Sequence, residues 1–165
     1  MKKVFFLFLL FIVSCSKNYN EEIKKAEDLI SKNKYKEAVE VLKKVSDADD
    51  EKFSPVALSI LGRIYQQHNL TDIQFKESQK IAQKYYYQIF EEYPKSNLAP
   101  KGLFMSAFIL ANELNEFEQA KKQYQLFLEK FPNDELAPSA KVELENVGLP
   151  PEMILNKRLN SSNEN

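Results

Sequence analysis

Glycine is scarce in this chain, with 3 among 165 residues, alongside one cysteine, one histidine and no tryptophan. So few glycines leave little for a phosphate-cradling loop, and neither GxGxxG nor GxxxxGKS/T occurs. A single cysteine and a single histidine exclude a Cys/His metal cluster and a disulfide framework. A basic excess is missing too. Lys and Arg number 23 against 24 Asp and Glu, a net charge of −1, which argues against a binder of nucleic acid. No segment alternates Val, Ile and Thr in the manner of a strand. No serine, tyrosine or lysine stands at a recognisable spacing from a base, so nothing points to an enzyme. What remains is a protein that works through surfaces, long enough for one domain with a real core.

The first feature present is an address. Met1-Lys2-Lys3 is a short positive start, and Val4 to Val13 is an unbroken run of ten apolar residues. Spanning a bilayer takes about 20 residues, so this run fits the apolar stretch of a cleaved leader instead. It ends in Ile12-Val13-Ser14-Cys15. That ending resembles the bacterial lipobox. The resemblance implies cleavage after residue 14 and lipidation of Cys15 by a diacylglycerol and an N-acyl chain, with no other cofactor. Several acyl chains give stable anchoring where one does not. Lipidation also accounts for an unpaired cysteine in an exported chain. The residue after Cys15 is Ser16 rather than Asp. Under the best-known bacterial sorting rule that implies an outer-membrane lipoprotein facing the periplasm. The organisation expected is a leader over 1–14, a lipidated cysteine and polar tether over 15–20, a helical body over 21–148, and a tail over 149–165. The tail opens on Pro150-Pro151, and its polar stretch from Asn156 on reads as disordered.

The body repeats. Residues 86–100 read YYQIFEEYPKSNLAP and residues 124–138 read YQLFLEKFPNDELAP, an offset of 38 residues. The shared skeleton is Ala82-Tyr86-Ile89-Pro94 and Ala120-Tyr124-Phe127-Pro132, and Ala38-Leu42-Val45 takes the same first steps. A small residue lets a neighbouring helix approach, and residues four, seven and eleven places on continue one apolar face. The proline then stops the helix. Each such helix has a partner upstream. Leu58, Leu61, Gly62 and Tyr65 precede the second, and Leu103, Ser106, Ala107 and Leu110 precede the third at the same spacing. Ala26 and Leu29 serve the first. The predicted packing residues are Ala38, Gly62, Ala82, Tyr86, Ala107, Ala120 and Tyr124. Leu136, Ala140, Leu144 and Val147 form the stripe of a closing helix over 135–147, with Gly148 as its C-terminal cap. Leu70 to Ser78 is an insertion, expected to lengthen a helix or make a loop.

This wording resembles the tetratricopeptide repeat, with repeats longer than its usual roughly 34 residues and Ser106 where Leu is usual. The resemblance implies an all-α fold: a right-handed α-solenoid of about three helix pairs plus a C-terminal capping helix. The first helix of each pair would then line the concave surface. The positions carried over are Ser59, Arg63, Gln66 and Gln67 in the second repeat and Phe104, Phe108, Ala111 and Asn112 in the third. Arg63 would take a carboxylate or a chain terminus. Phe104 and Phe108 either floor an apolar groove or fill core between curved helices. The segment from Leu103 to Ala111 is apolar nearly all round and should be buried nearly all round.

Other features read as structural. His68 sits at a helix end, Asp47 to Glu51 is a solvated acidic turn without the spacing of a calcium loop, and Tyr85 and Tyr87 flank the core residue Tyr86 as packing. The lipobox, tether and repeats together resemble envelope tetratricopeptide lipoproteins, nearest the BamD (YfiO) family of outer-membrane assembly and next the YbgF/CpoB type of the Tol–Pal system. The implied partner is an envelope protein or an unfolded or peptide segment, with the membrane reached through the lipid and no nucleic acid. The implied role is a protein–protein interaction scaffold, or else a structural subunit of a larger envelope complex.

Overall fold

The computed structural model describes residues 18–156. The leader, Cys15, the start of the tether and the tail beyond Asn156 lie outside the described residues. Seven helices follow one another: α1 (Tyr19–Ser31), α2 (Tyr35–Ser46), α3 (Ser54–Gln66), α4 (Phe75–Glu92), α5 (Ala99–Asn112), α6 (Phe117–Lys130) and α7 (Ala137–Asn146). A short helical run at 151–156 comes after them. No strand occurs among the described residues. Each helix packs chiefly on the ones before and after it in the chain, so this is an all-α repeat fold.

The repeated residues lie in the core. Ala26, Ala38, Ala82, Ala107 and Ala120 are fully buried, as are Tyr124 and Phe127, and Tyr86 is 4% exposed. Gly62 is where α3 meets α4: a Cβ there would lie 3.0 Å from the Tyr86 ring. Gly102 is tighter still, since a Cβ would come 2.6 Å from the Tyr86 carbonyl oxygen. Every residue from Leu103 to Ala111 is buried or half-buried, as its composition requires.

The turns also repeat. Asn33, His68 and Asn115 take left-handed backbone (φ 57°, 53° and 57°) after α1, α3 and α5. Asparagine and histidine are among the side chains found more often in that region, and each of the three stands at a chain reversal. At the other end, Asp134 Oδ1 accepts from the Leu136 N–H at 2.9 Å and Ser96 Oγ accepts from the Leu98 N–H at 3.2 Å. Each turn leads straight into Leu-Ala-Pro, with proline in the first turn of α5 and α7 where no N–H is needed. Before α3, Asp50 Oδ1 accepts from the N–H groups of Lys52 and Phe53 at 2.9 and 2.8 Å, so part of the acidic run staples a turn. The insertion does both things expected of it. Residues 67–74 form the connection, and α4 runs to 18 residues.

Aligned on Ala-Pro, α7 shows why the stack ends. Lys141 and Glu145 occupy the positions of Leu103 and Ala107, which in α5 are wholly buried. A further helix would have to cover charge. Gly148 follows with φ +79°, as a capping glycine should. Pro150-Pro151 does not end helical structure, because Pro151 opens the run at 151–156. Proline is well suited to a helix start.

Candidate functional site

Two of the residues carried over from the repeat register meet in one place. Ser59 and Arg63 of α3, with Val56 and Ile60 beside them, line a hollow of about 300 Å³ with Glu27 of α1, Tyr86, and Leu98 and Lys101 at the head of α5. Leu98 and Lys101 also line a second hollow of about 420 Å³, which adds Phe104, Met105, Asp134, Glu135 and Leu136. The two share Leu98 and Lys101, so they lie side by side at the head of α5, the first toward α1 and α3 and the second toward the turn before α7.

Its chemistry is divided. In the first hollow two cations, Arg63 and Lys101, face one anion, Glu27, over an apolar floor of Val56 and Ile60. Neither cation forms an ion pair among the described residues, and Arg63 is exposed. Arg63 lies close enough to the Tyr86 phenol to draw its pKa down, against the larger effect of burial, which pushes it up to about 12. The second hollow is more apolar, with Asp134 and Glu135 at its rim.

Phe104 belongs to both readings left open for it. Its ring packs edge-on against Tyr124 (5.8 Å) and Phe127 (6.0 Å), yet it is half-buried and also lines the second hollow. Phe108 is half-buried too, and its carbonyl accepts from Asn112 Nδ2 at 3.1 Å. Asn112 stands apart, in a different hollow with Phe117, Asn146 and Ile154.

Gln66 and Gln67 line neither of these two hollows. Gln66 Oε1 accepts from the Tyr86 hydroxyl at 3.1 Å, and its backbone carbonyl accepts from Gln79 Nε2 at 2.8 Å. The first of these bonds joins the Gln66 side chain on α3 to α4. Gln67, exposed, is the residue just past the end of α3 and accepts from Asn69 Nδ2 at 3.1 Å. Ala111 is buried. Cys15 lies outside the described residues.

Sequence reasoning missed Glu27, Val56, Ile60 and Lys101. Val56, Ile60 and Arg63 stand at helical spacing beside Ser59, which was the available signal. Glu27 and Lys101 come from neighbouring helices, and only packing brings them in. Tyr85 and Tyr87 are half-buried and ring-packed on Tyr65 (5.7 Å) and Phe90 (6.0 Å). Burial pushes the Tyr85 phenol up to about 12. Among the described residues no cluster of three or more His, Cys, Asp or Glu is placed to hold a metal ion, and no helix is long and apolar enough to cross a membrane. No protein-family model matches the chain, and no curated protein matches it.

Proposed function

We propose that the chain is a lipid-anchored envelope adaptor, a right-handed α-solenoid that presents its concave surface to a protein or an extended peptide segment. The observation that carries this reading is the pair of neighbouring hollows along α3 and α5, which share Leu98 and Lys101, with Arg63 in one and Phe104 and Met105 in the other. A side-on row of helices offers an extended chain alternating apolar and charged contacts without any catalytic group. The lipobox and Ser16 support an outer-membrane site facing the periplasm, with lipid on Cys15 as the anchor. Within that setting the repeat wording favours a scaffold in outer-membrane protein assembly, BamD-like in kind. The BamD family carries more repeats than the three here, so the short stack suits one partner rather than two. The CpoB-like alternative, an adaptor of the Tol–Pal and peptidoglycan machinery, shares the same groove.

Site-specific photo-crosslinking in the native cell tests the proposal. Probes at Arg63, Phe104 and Phe108 are compared with one at Lys84, exposed on α4. Capture of a barrel-assembly protein or a nascent barrel chain at the first three alone supports the assembly scaffold. Capture of a Tol–Pal or peptidoglycan protein there replaces it with the alternative. Capture only at Lys84 removes the groove from the reading and favours a structural subunit.

A further inference from the structure

The antiparallel helices give the molecule two edges, and contacts identify which turns share each. Asn18 and Tyr19 line a hollow with Lys44 and Val45, and the Tyr19 ring meets that of Phe53 at 6.2 Å. Asp49, in the same turn as Phe53, lies 3.4 Å from the Tyr93 hydroxyl. Asn97 and Leu98 share a hollow with Asp134 and Glu135. The start of α1 and the α2–α3, α4–α5 and α6–α7 turns therefore form one edge. The opposite edge holds the α1–α2 turn beside the α3–α4 connection, and Asn115 beside Asn146.

From this we infer that the first edge rides against the phospholipid headgroup layer, with the helices standing upright and the groove running parallel to the bilayer. The inference rests on the lipid-anchored reading. Cys15 stands three residues before Asn18 in the chain. At most about 3.5 Å per residue, that holds the start of α1 within about 10 Å of the anchor. Helices of 13 residues such as α1 and α3 are about 20 Å long, so the other edge cannot reach the same layer without laying the stack on its side.

The edge next to the anchor has suitable chemistry. Tyr19 and Phe53 form an aromatic corner, and Lys52 Nζ lies 5.0 Å from the Phe53 ring centroid with Lys44 near by. Aromatic rings and lysines on long apolar stems suit a headgroup interface. The Asp50 carboxylate is held by its turn hydrogen bonds, whereas Asp49, 3.4 Å from the Tyr93 hydroxyl, is exposed, as are Asp47, Glu51 and Glu135 on the same edge. The remaining charges are of both signs, which matches zwitterionic headgroups better than an anionic surface.

The test uses the full acylated protein in vesicles of phosphatidylethanolamine and phosphatidylglycerol. A thioether-linked Cys15 takes no thiol label, so single cysteines can be introduced at Lys95 and Asn133 on the near edge and at Thr71 and Gln119 on the far edge. A fluorophore on each is quenched by lipids spin-labelled in the headgroup. Near-edge labels are expected to be quenched several-fold more than far-edge labels, and a flexible insertion between Cys15 and Asn18 should shrink that contrast. Equal quenching at all four sites, on protein that floats with the vesicles, overturns the orientation and leaves the anchor standing. An unacylated Cys15 by mass spectrometry, with no flotation, overturns the anchored reading and the orientation with it.

Discussion

The Tyr86 hydroxyl donates to Oε1 of Gln66 across 3.1 Å, tying the second helix of a repeat to the first. In the next repeat the tyrosine recurs as Tyr124, but the residue matching Gln66 is Ala111, which has no oxygen to offer. The Tyr124 hydroxyl is accordingly buried without a protein partner. Burial raises its pKa, and the nearby Glu143 carboxylate raises it further. Equal substitutions should therefore have opposite signs. Tyr86→Phe loses a partly buried hydrogen bond and leaves Gln66 short of a donor, a cost of about 1 kcal/mol. Tyr124→Phe removes an unsatisfied group and should be neutral or stabilising by up to about 1 kcal/mol. Urea denaturation of both variants checks this, and equal destabilisation by the two would refute it.

That pair also shows what the sequence could reveal. The repeat at offset 38 places Tyr86 and Tyr124 in the core because each follows a fully buried alanine by four residues. Periodicity carries that information. It says nothing of the bond from Tyr86 to Gln66, whose partners lie twenty residues apart in the chain. The groove was legible only on α3 and α5, at Ser59, Arg63 and Phe104. Glu27 and Lys101 enter it through the packing of separate helices, which no spacing encodes. The run at 151–156 escaped for a local reason, since paired prolines read as a stop and one of them begins a helix.

Alkaline pH should loosen the fold through its buried phenols. Tyr85 and Tyr86 are each pushed up to about 12 by burial, from 10.0, and Tyr124 is raised as well. Below pH 10 all three are protonated both folded and unfolded, so they contribute no slope. Between about 10 and 12 the unfolded chain ionises and the folded one does not, which draws the equilibrium toward unfolding. The urea midpoint is expected to be flat on the neutral side and to fall above pH 10, less steeply in a Tyr86→Phe, Tyr124→Phe double variant. Tyrosinate absorbance provides a second readout. In the native protein a subset of the 8 tyrosines should ionise late, and simultaneous ionisation of all of them before unfolding would contradict the burial argument.

Gly62 and Gly102 separate two kinds of close approach. A methyl at residue 62 meets the Tyr86 ring at 3.0 Å, whereas one at 102 meets the Tyr86 carbonyl oxygen at 2.6 Å and the Ile89 Cβ at 3.0 Å. A ring can shift by tenths of an ångström, but a helix carbonyl moves only with its backbone. Alanine also gains about 1 kcal/mol of helix propensity over glycine, which offsets part of the smaller clash. Gly102→Ala should destabilise by about 2 kcal/mol, and Gly62→Ala by clearly less. Thermal melts of the two variants rank them, and the opposite order would mean that α5 yields more readily than the Tyr86 ring.

Ser106 explains a departure from the repeat pattern, which has Leu at that position. Gln83 Nε2 donates to Ser106 Oγ at 2.9 Å, and Ser106 Oγ donates to Gln123 Oε1 at 2.7 Å, so one hydroxyl joins α4, α5 and α6. Ser106 itself is fully buried and both glutamines are half-buried. Ser106→Ala strands two amides that water can partly reach, at a cost of about 1 kcal/mol. Gln123→Ala should cost little more once Ser106 is gone, giving a coupling of at least about 0.5 kcal/mol in a double-mutant cycle. Strict additivity would show that the relay holds nothing together.

The end of the stack depends on charge. In α7, Lys141 and Glu145 take the places that Leu103 and Ala107 fill in α5, where those residues are wholly covered. Val142, already 49% exposed, stands between them in the chain. A Lys141→Leu, Glu145→Ala variant would restore the apolar face that calls for a further helix and would leave it exposed. Exposed apolar patches of that kind drive association. Both residues changed are exposed on α7, and far-ultraviolet circular dichroism of the variant checks that it still folds. Sedimentation of the variant, lacking its leader and with Cys15 removed, is expected to show concentration-dependent self-association where the parent chain shows none. Had shape alone ended the stack, the variant would stay as dispersed as the parent, since a face that cannot receive a helix gains nothing by becoming apolar.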